Sequence, residues 1–232
     1  MIFKVRKAQK TFKGIKDDKM DFYGALKSTC YQILPKKLVL PFATEVAVIY
    51  YGFVNWKKRI LKHNEFSYHK KSGTPALLGV LIFMIAIETF ALHILIERWS
   101  VVVAWVLSGL SIYTAIQILG FGKSLAQRPI SLAKNSLTLR YGILNEAEIP
   151  LEDIDHIELS RKPLNKDSQA IKLSPLGDFE SHNVVIQLNK ENKSTGLYGM
   201  QKRFRVIGIH VDKPNEFKEK IENALQQSIK CS

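Results

Sequence analysis

Two long apolar runs dominate the pattern of hydrophobic positions along this chain. Residues 75–96 form a run of 22 residues and residues 99–121 form one of 23, with only Glu97 and Arg98 between them. A helix rises about 1.5 Å per residue, so about 20 residues cross a hydrocarbon core of about 30 Å. Both runs are long enough. The short connection predicts an antiparallel transmembrane helical hairpin over residues 74–124.

A third apolar segment, residues 38–56, contains one charged residue, Glu45, and lies between two basic clusters. If it crossed the membrane, either Lys36 and Lys37 or the cluster at 57–59 would be translocated, against the positive-inside bias. The pattern therefore favours an interfacial or bundle-packed helix over a third crossing. We expect residues 38–73 to hold this helix and a basic connector.

Beyond Arg128 the pattern changes to an alternation of apolar and polar residues. The candidate strands are residues 130–132, 137–141, 147–149, 154–159, 170–173, 183–188, 195–200 and 204–211. Short strands separated by polar turns predict an antiparallel barrel or sandwich. The chain then ends in a helix whose first turn contains Pro214. The apolar face of this helix, which would cap the open end of a barrel, comprises Phe217, Ile221, Ala224, Leu225 and Ile229.

This order of elements resembles the bacterial pleckstrin-homology-like fold. The stretches 136–142 (SLTLRYG), 149–154 (IPLEDI) and 210–214 (HVDKP) are similar to patterns of that family. The stretches 88–93 (ETFALH) and 104–108 (AWVLS) resemble a group of uncharacterised bacterial membrane proteins in which a hairpin precedes such a domain. The resemblance implies an α+β membrane protein with a cytoplasmic pleckstrin-like domain over residues 126–232. Proteins of this class bind lipids, peptides or protein surfaces, and the fold alone does not choose among these.

The distribution of charge predicts the orientation of the hairpin. The chain has a net charge of +13, and residues 1–73 hold 16 Lys and Arg against 5 Asp and Glu. Because Lys and Arg stay on the cytoplasmic side, we expect both termini in the cytoplasm and the protein in the cell (inner) membrane. Residues 1–37 form a basic N-terminal segment without the apolar core of a signal peptide. Its first 34 residues show no clear periodicity and are expected to be flexible or loosely helical.

Basic residues close to the membrane predict contact with anionic lipid headgroups, where each contributes about 1 kcal/mol. One group lies in the connector and another opens the last candidate strand. The residues are Lys57, Lys58, Arg59, Lys62, Lys202, Arg203 and Arg205. No nucleic-acid-binding module accompanies the positive charge, so membrane lipids rather than nucleic acid are the expected partner.

Polar residues inside the hairpin form the candidate intramembrane site. Glu88 lies near the middle of the first run, where a carboxylate costs about 2.5–3.5 kcal/mol, so we expect it to face a partner rather than lipid. Folding the hairpin about its connection places Glu88 level with Gly109, and His93 near Ala104 and Trp105. The polar and small residues of this interface are Glu88, Thr89, His93, Ser108, Gly109, Ser111, Thr114 and Gln117.

Two interpretations of this interface remain. In the first, a neutral or hydrogen-bonded Glu88 and the small residues hold the helix pair together. In the second, Glu88 and His93 supply acid–base chemistry to a membrane enzyme with a hydrophobic substrate. One Glu and one His are too few ligands for catalytic zinc, and the two cysteines, Cys30 and Cys231, lie at opposite ends of the chain.

The sequence therefore predicts a membrane protein without a cofactor or metal, more typical of an interaction protein than of an enzyme. It would present its pleckstrin-like domain to lipid headgroups, to a protein partner or to a second copy of itself. The membrane enzyme is the alternative, and a subunit of a transporter or secretion assembly is a third possibility.

Overall fold

The computed structural model describes residues 21–56, 59–164 and 169–230. The helices are α1 (Phe22–Ile33), α2 (Lys36–Ile49, continued by the π-helical turn Tyr50–Val54), α3 (Thr74–Glu97), α4 (Val101–Gln127) and α5 (Pro214–Lys230). The strands are β1 (Glu65–Phe66), β2 (Ile130–Leu132), β3 (Ser136–Tyr141), β4 (Asn145–Pro150), β5 (Ile154–Glu158), β6 (Ala170–Lys172), β7 (Val184–Gly196) and β8 (Gln201–Ile209).

The predicted helical hairpin is confirmed as α3 and α4. Trp99 N and Ser100 N both donate to the carbonyl oxygen of Ile96, so the chain reverses within a few residues. Both helices are long and apolar enough to cross a membrane, and so is the segment Lys36–Val54. Large apolar side chains such as Phe90 and Val102 are exposed along the hairpin. A continuous exposed apolar surface of this kind is typical of membrane contact.

The N-terminal helices α1 and α2 pack against each other. Residues 22–33, for which the sequence indicated at most a loose helix, form a regular helix, while residues 1–20 lie outside the described part of the chain. Tyr23 of α1 is buried, and its hydroxyl lies 3.2 Å from the hydroxyl of Thr44 on α2. One face of α2 is buried, as expected of a bundle-packed helix, but its length and composition would also suit a crossing, so the expectation of an interfacial or bundle-packed helix over residues 38–56 stays a prediction.

Helix α2 crosses α4 at a glycine. A Cβ atom built on Gly120 would lie 2.6 Å from the carbonyl oxygen of Val48, which is closer than side-chain carbons approach. Gly52 of the π-helical turn faces the same point of α4. Small residues let two helix backbones come this close, so the crossing depends on glycine at position 120.

The strands form one open sheet and not the predicted closed barrel. The order is β1-β2-β3-β4-β7-β8-β6, and β5 pairs with the first half of β7. Every pair is antiparallel except β6 with β8. The edge strands β1 and β6 have two and three residues, and among the described strands they do not pair with each other. The chain after β8 is joined to the chain after β1 through Asp212, whose N–H donates to Ser67 O at 2.9 Å and whose carboxylate accepts from the N–H groups of Lys70 and Lys71.

The long strand β7 explains most of the remaining difference from the predicted strands. The sequence predicts separate strands at residues 183–188 and 195–200, but residues 184–188 and 195–196 both belong to β7, which has 13 residues. Its register shifts between Gln187 and Asn192, so that β5 pairs with its first half and β4 with its end. Residues 197–199 form the turn into β8. The other candidate strands are found close to their expected positions.

The core of the sheet domain is closed by α5, as the sequence predicted. Phe217 and Ile221 are fully buried, and Ala224 and Leu225 pack at the edge, while the side chain of Ile229 lies outside the described set. The ring of Phe66 meets that of Phe217 edge-on, with centroids 4.9 Å apart. Phe66 and Tyr68 come from the connector, so the sheet domain takes part of its core from β1 and the chain after it.

Candidate functional site

Inside the hairpin, one pair of polar side chains joins the two helices. His93 Nδ1 of α3 lies 2.7 Å from Ser108 Oγ of α4. The His93 ring also meets the ring of Trp105 edge-on, with centroids 5.0 Å apart. The predicted neighbourhood of His93 and Trp105 is therefore confirmed. Ser108 is buried between the helices, so this pair is a polar contact within the packed part of the hairpin.

Glu88 lies apart from this pair. Its side chain is exposed, and within the described residues no hydrogen bond or ion pair reaches it. The expectation that Glu88 faces a partner rather than lipid is not met among the described residues, and Gly109, which the sequence placed at the same level, is exposed as well. The reason is helical geometry. Five residues turn a helix by about 140°, so when His93 faces α4, Glu88 faces away.

The other polar residues of the hairpin divide between the two helices. Thr89 Oγ1 donates to Ile85 O, and Thr114 Oγ1 donates to Leu110 O, so each hydroxyl is bonded within its own helix. Thr89, His93, Ser108 and Ser111 border an otherwise apolar groove of about 590 Å³ between α3 and α4. This volume is within the range of ligand sites.

Gln117 belongs to a different cluster, around Glu45 of α2. The Glu45 carboxylate accepts from Gln117 Nε2 at 2.6 Å and from the Tyr113 hydroxyl at 2.8 Å. The Tyr198 hydroxyl, in the turn between β7 and β8, lies 3.4 Å from the other oxygen of Glu45. One carboxylate thus connects α2, α4 and the sheet domain. The sequence identified Glu45 only as the single charge of its segment.

The most extensively bonded polar centre lies just past the end of α4, at Arg128. The side chain is 1% exposed. Its guanidinium forms ion pairs with Asp21, which precedes α1, and with Glu146 of β4, the latter at 2.9 Å. It also donates to the carbonyl oxygen of Gly142 at 2.5 Å. The carbonyl oxygen of Arg128 accepts from the Tyr68 hydroxyl at 3.0 Å.

These contacts join four parts of the chain at one point. Tyr68 comes from the connector, and its hydroxyl oxygen accepts in turn from Gly142 N at 2.7 Å. Gly142 has a φ of 53° in the turn between β3 and β4, where a side chain would strike Ser124 of α4. The Ser124 hydroxyl accepts from Ile143 N at 3.1 Å. We call this centre, Asp21, Tyr68, Arg128, Gly142 and Glu146, the Arg128 joint.

The electrostatics of the Arg128 joint keep its three charged groups ionised. Burial by itself would raise the pKa of Glu146. The positive charges of Arg128, Lys27 and Arg140 outweigh burial and lower this pKa to about 2. Burial likewise raises the pKa of Asp21, and Arg128 outweighs it, so this pKa is lowered. The pKa of Arg128 is raised because Asp21 and Glu146 outweigh its burial. A buried cation between two carboxylates of this kind is a structural contact whose loss is costly.

The residues predicted to contact anionic lipid differ in their contacts, as far as the structure describes them. Lys57 and Lys58 lie outside the described residues. Arg59 pairs with Glu65 at 2.6 Å, and Arg203 pairs with Glu191 at 3.2 Å. The side chains of Lys62, Lys202 and Arg205 are exposed.

A small cavity of about 10 Å³ inside the sheet domain collects further polar groups that the sequence did not single out. Tyr141 donates to the buried Glu180, and burial is the first cause of the raised pKa of Tyr141. His182 and His210 line the same cavity. Its volume is that of about one water molecule. Within the described ranges no three His, Cys, Asp or Glu side chains converge as metal ligands.

Comparison with known proteins does not assign this chain to a family. No protein-family model matches it, and neither a curated protein nor a solved structure does. Its function must therefore be argued from its own residues.

Proposed function

We propose that this chain is an integral membrane protein that presents its sheet domain at the cytoplasmic surface in a fixed orientation, for binding lipid headgroups or a protein partner. The observation that carries the proposal is the Arg128 joint. It ties the end of α4 to the residue before α1, to the connector, to the turn between β3 and β4 and to β4 itself through buried, charged and hydrogen-bonded contacts.

The burial of α4 supports a membrane boundary near the Arg128 joint. The outward side chains of its first turns, such as Val102 and Val106, are exposed, whereas Gly120, Ser124 and Leu125 are buried against α2 and the domain. Twenty residues from Val101 reach Gly120, and this length of helix is about 30 Å. The apolar surface therefore ends where the packing with the domain begins.

The lipid-binding form of the proposal rests on the exposed basic side chains of β8. Lys202 and Arg205 are free to meet phosphates, and Arg203 would exchange Glu191 for a headgroup. A protein partner has a different surface available, a groove of about 1300 Å³ between α5 and the turn from β2 to β3, bordered by Lys134, Asn135 and Lys220 among others.

Native mass spectrometry of the full chain, released from nanodiscs of mixed zwitterionic and anionic lipid, tests the lipid form. We expect retained anionic lipid in the wild type and at least a threefold loss when Lys202, Arg203 and Arg205 are all changed to Gln. A control with three other surface lysines changed to Gln has the same net charge and should retain lipid. Equal retention by both variants would refute headgroup binding at β8.

Distance measurements test the fixed orientation itself. Spin labels at Trp99→Cys and Phe179→Cys, both 85% exposed in the wild type, report on the hairpin connection and the domain. The native cysteines are changed to Ser. Pulsed dipolar spectroscopy in nanodiscs should give one narrow distance distribution, which Arg128→Met broadens. A broad distribution in the parent protein would contradict the proposal.

A second candidate function follows from one observation, the 2.7 Å contact between His93 and Ser108 beside an apolar groove. A histidine this close to a serine hydroxyl is the arrangement that activates a serine nucleophile. This would be a hydrolase for a hydrophobic ester or amide. We place it second because Ser108 lies within a helix, where backbone N–H groups are bonded and offer no oxyanion site.

A fluorophosphonate probe separates the two functions. If Ser108 is a nucleophile, the probe labels the wild type and Ser111→Ala, but not Ser108→Ala or His93→Ala. Absence of labelling in the wild type would leave His93 and Ser108 as a packing contact of the hairpin.

A further inference from the structure

The pair of helices α1 and α2 begins and ends beside the same end of α4, the end that precedes Arg128. The residue before α1 is Asp21, which pairs with Arg128 just beyond α4. After α2 and its π-helical turn, the centroid of the Trp56 ring lies 3.5 Å from Lys123 Nζ, in the last turns of α4. Helix α1 has 12 residues, or about 18 Å of helix, which is too short to cross about 30 Å of hydrocarbon.

We infer that α1 and α2 form a re-entrant pair, which dips into the membrane leaflet beside the sheet domain and returns without crossing. The inference rests on the proposed function, because that function places the hairpin in a membrane. By length α2 could cross. Its crossing would require α1 to cross back, and α1 is too short for that.

The exposed face of α2 is apolar, which is the wrong pattern for a helix that faces water. Four large side chains recur at intervals of four or seven residues and lie on one stripe; they are Leu38, Phe42, Ile49 and Phe53. Each is more than half exposed. The opposite face, with Val39, Ala43 and Ala47, is buried against its neighbours. Both faces of α2 are therefore apolar, and only one is covered by this chain.

The turn between β7 and β8 continues this exposed stripe. Leu40 packs on Gly199, where a Cβ would lie 2.5 Å from Leu40 Cδ1. The Tyr198 hydroxyl contacts Glu45 of α2, which holds the turn against the helix. In the same turn, Tyr198 is 47% exposed and Met200 is 64% exposed. We call the stripe of α2 and this turn together the insertion surface.

The occupant that fits the insertion surface is the headgroup–acyl boundary of a lipid bilayer. The surface is continuous with the exposed apolar hairpin through the contact of α2 with α4. Lys202, which is exposed, follows the turn, and Lys123 lies over the Trp56 ring just after the stripe. Apolar and aromatic groups flanked by lysines are typical of insertion about 5–10 Å below the headgroups, with the lysine ends reaching back to phosphates.

Depth-dependent quenching in proteoliposomes tests this inference on the full chain. A bimane label is placed at Phe42→Cys or at Met200→Cys, with Phe179→Cys as a control that is also apolar and is more exposed, at 85%, but belongs to another loop. The native cysteines are changed to Ser. Nitroxide lipids carry the quencher either near the headgroup or near the acyl end.

The expected result is quenching at Phe42 and Met200 that is at least twice as strong for the shallow quencher, and none at Phe179. Stronger quenching by the deep quencher at Phe42 would show that α2 crosses, and would overturn the inference. So would quenching at only one of the two positions, or at neither. None of these results would contradict the proposed fixed orientation of the domain, because the spin-label distances test that orientation in a separate experiment.

Discussion

Replacing Arg128 with Met tests the Arg128 joint most directly. Methionine fills a similar volume but removes the charge between Asp21 and Glu146, whose side chains are 9% and 26% exposed. Both carboxylates would then be left without the cation that outweighs their burial. Removing one partner of a buried ion pair costs about 3–5 kcal/mol. In a chain of this size, about 1 kcal/mol lowers Tm by about 2–4 °C, so we expect a loss of about 6–20 °C.

A thiol-reactive dye measures this loss in detergent micelles. Cys30 of α1 is buried and becomes reactive when α1 separates from the rest of the chain. Cys231 is changed to Ser so that only Cys30 reports. The matched control is Arg203→Met, which removes an arginine whose pair with Glu191 lies on the surface and whose side chain is 69% exposed. We expect little or no shift there, because exposed ion pairs contribute little.

A second variant distinguishes unpaired charge from lost packing. If the cost of Arg128→Met comes from two unpaired carboxylates, adding Asp21→Asn and Glu146→Gln should recover at least half of the lost Tm. Failure to recover would mean that the shape of the arginine matters more than its charge. A melting temperature of Arg128→Met within about 2 °C of the wild type would refute the reasoning altogether.

Three further predictions follow from contacts around the Arg128 joint and the α2–α4 crossing. The pKa of Glu146 is about 2, below its ordinary 4.5, so its stabilising contribution is present above pH 4.5 and lost toward pH 2; an unchanged Tm across that range would contradict this. Gly120→Ala should lower Tm because its Cβ meets Val48 O, while Gly109→Ala, which meets open space, should not. Tyr68→Phe leaves two buried backbone groups without a partner and should cost about 1–3 kcal/mol, and a neutral result in the dye assay would exclude that role.

Local periodicity was sufficient to predict helices α2 to α5 and most strands of this protein, but not α1, whose segment has no clear periodicity. The two apolar runs became α3 and α4, and the face of α5 that holds Phe217 and Ile221 is buried as expected. The neighbourhood of His93 and Trp105 also followed from sequence, because a tight connection fixes which residues of a hairpin lie at the same level. Rotation about the helix axis was harder to predict, and it is rotation that turns Glu88 away from α4.

The Arg128 joint could not be predicted because its members are distant in sequence. Asp21, Arg128 and Glu146 lie in a helix start, a helix exit and a strand, and no periodic pattern links them. A lysine or arginine after a membrane helix also has a ready explanation in the positive-inside bias. One signal was available in the sequence. A lone arginine stands directly before Pro129, at the point where the pattern changes from helix to strand. The open edges of the sheet depend in the same way on long-range pairing, which alternation along one strand does not encode.

The Arg128 joint and the insertion surface constrain different motions of the domain. A domain held only at the end of one helix can rotate about that helix axis even when the attachment is strong. The second contact, between Tyr198 and Glu45, lies beside Tyr113 and Gln117 of α4, about 16–22 Å along the helix from Arg128 at about 1.5 Å per residue. Because Glu45 belongs to α2, the second contact lies off the axis of α4, and rotation of the domain about that axis would break the Tyr198–Glu45 contact. Removing the Tyr198–Glu45 contact should therefore broaden the spin-label distance distribution while leaving the Arg128 joint intact. Replacing Arg128 should broaden the distance distribution and also disrupt the Arg128 joint.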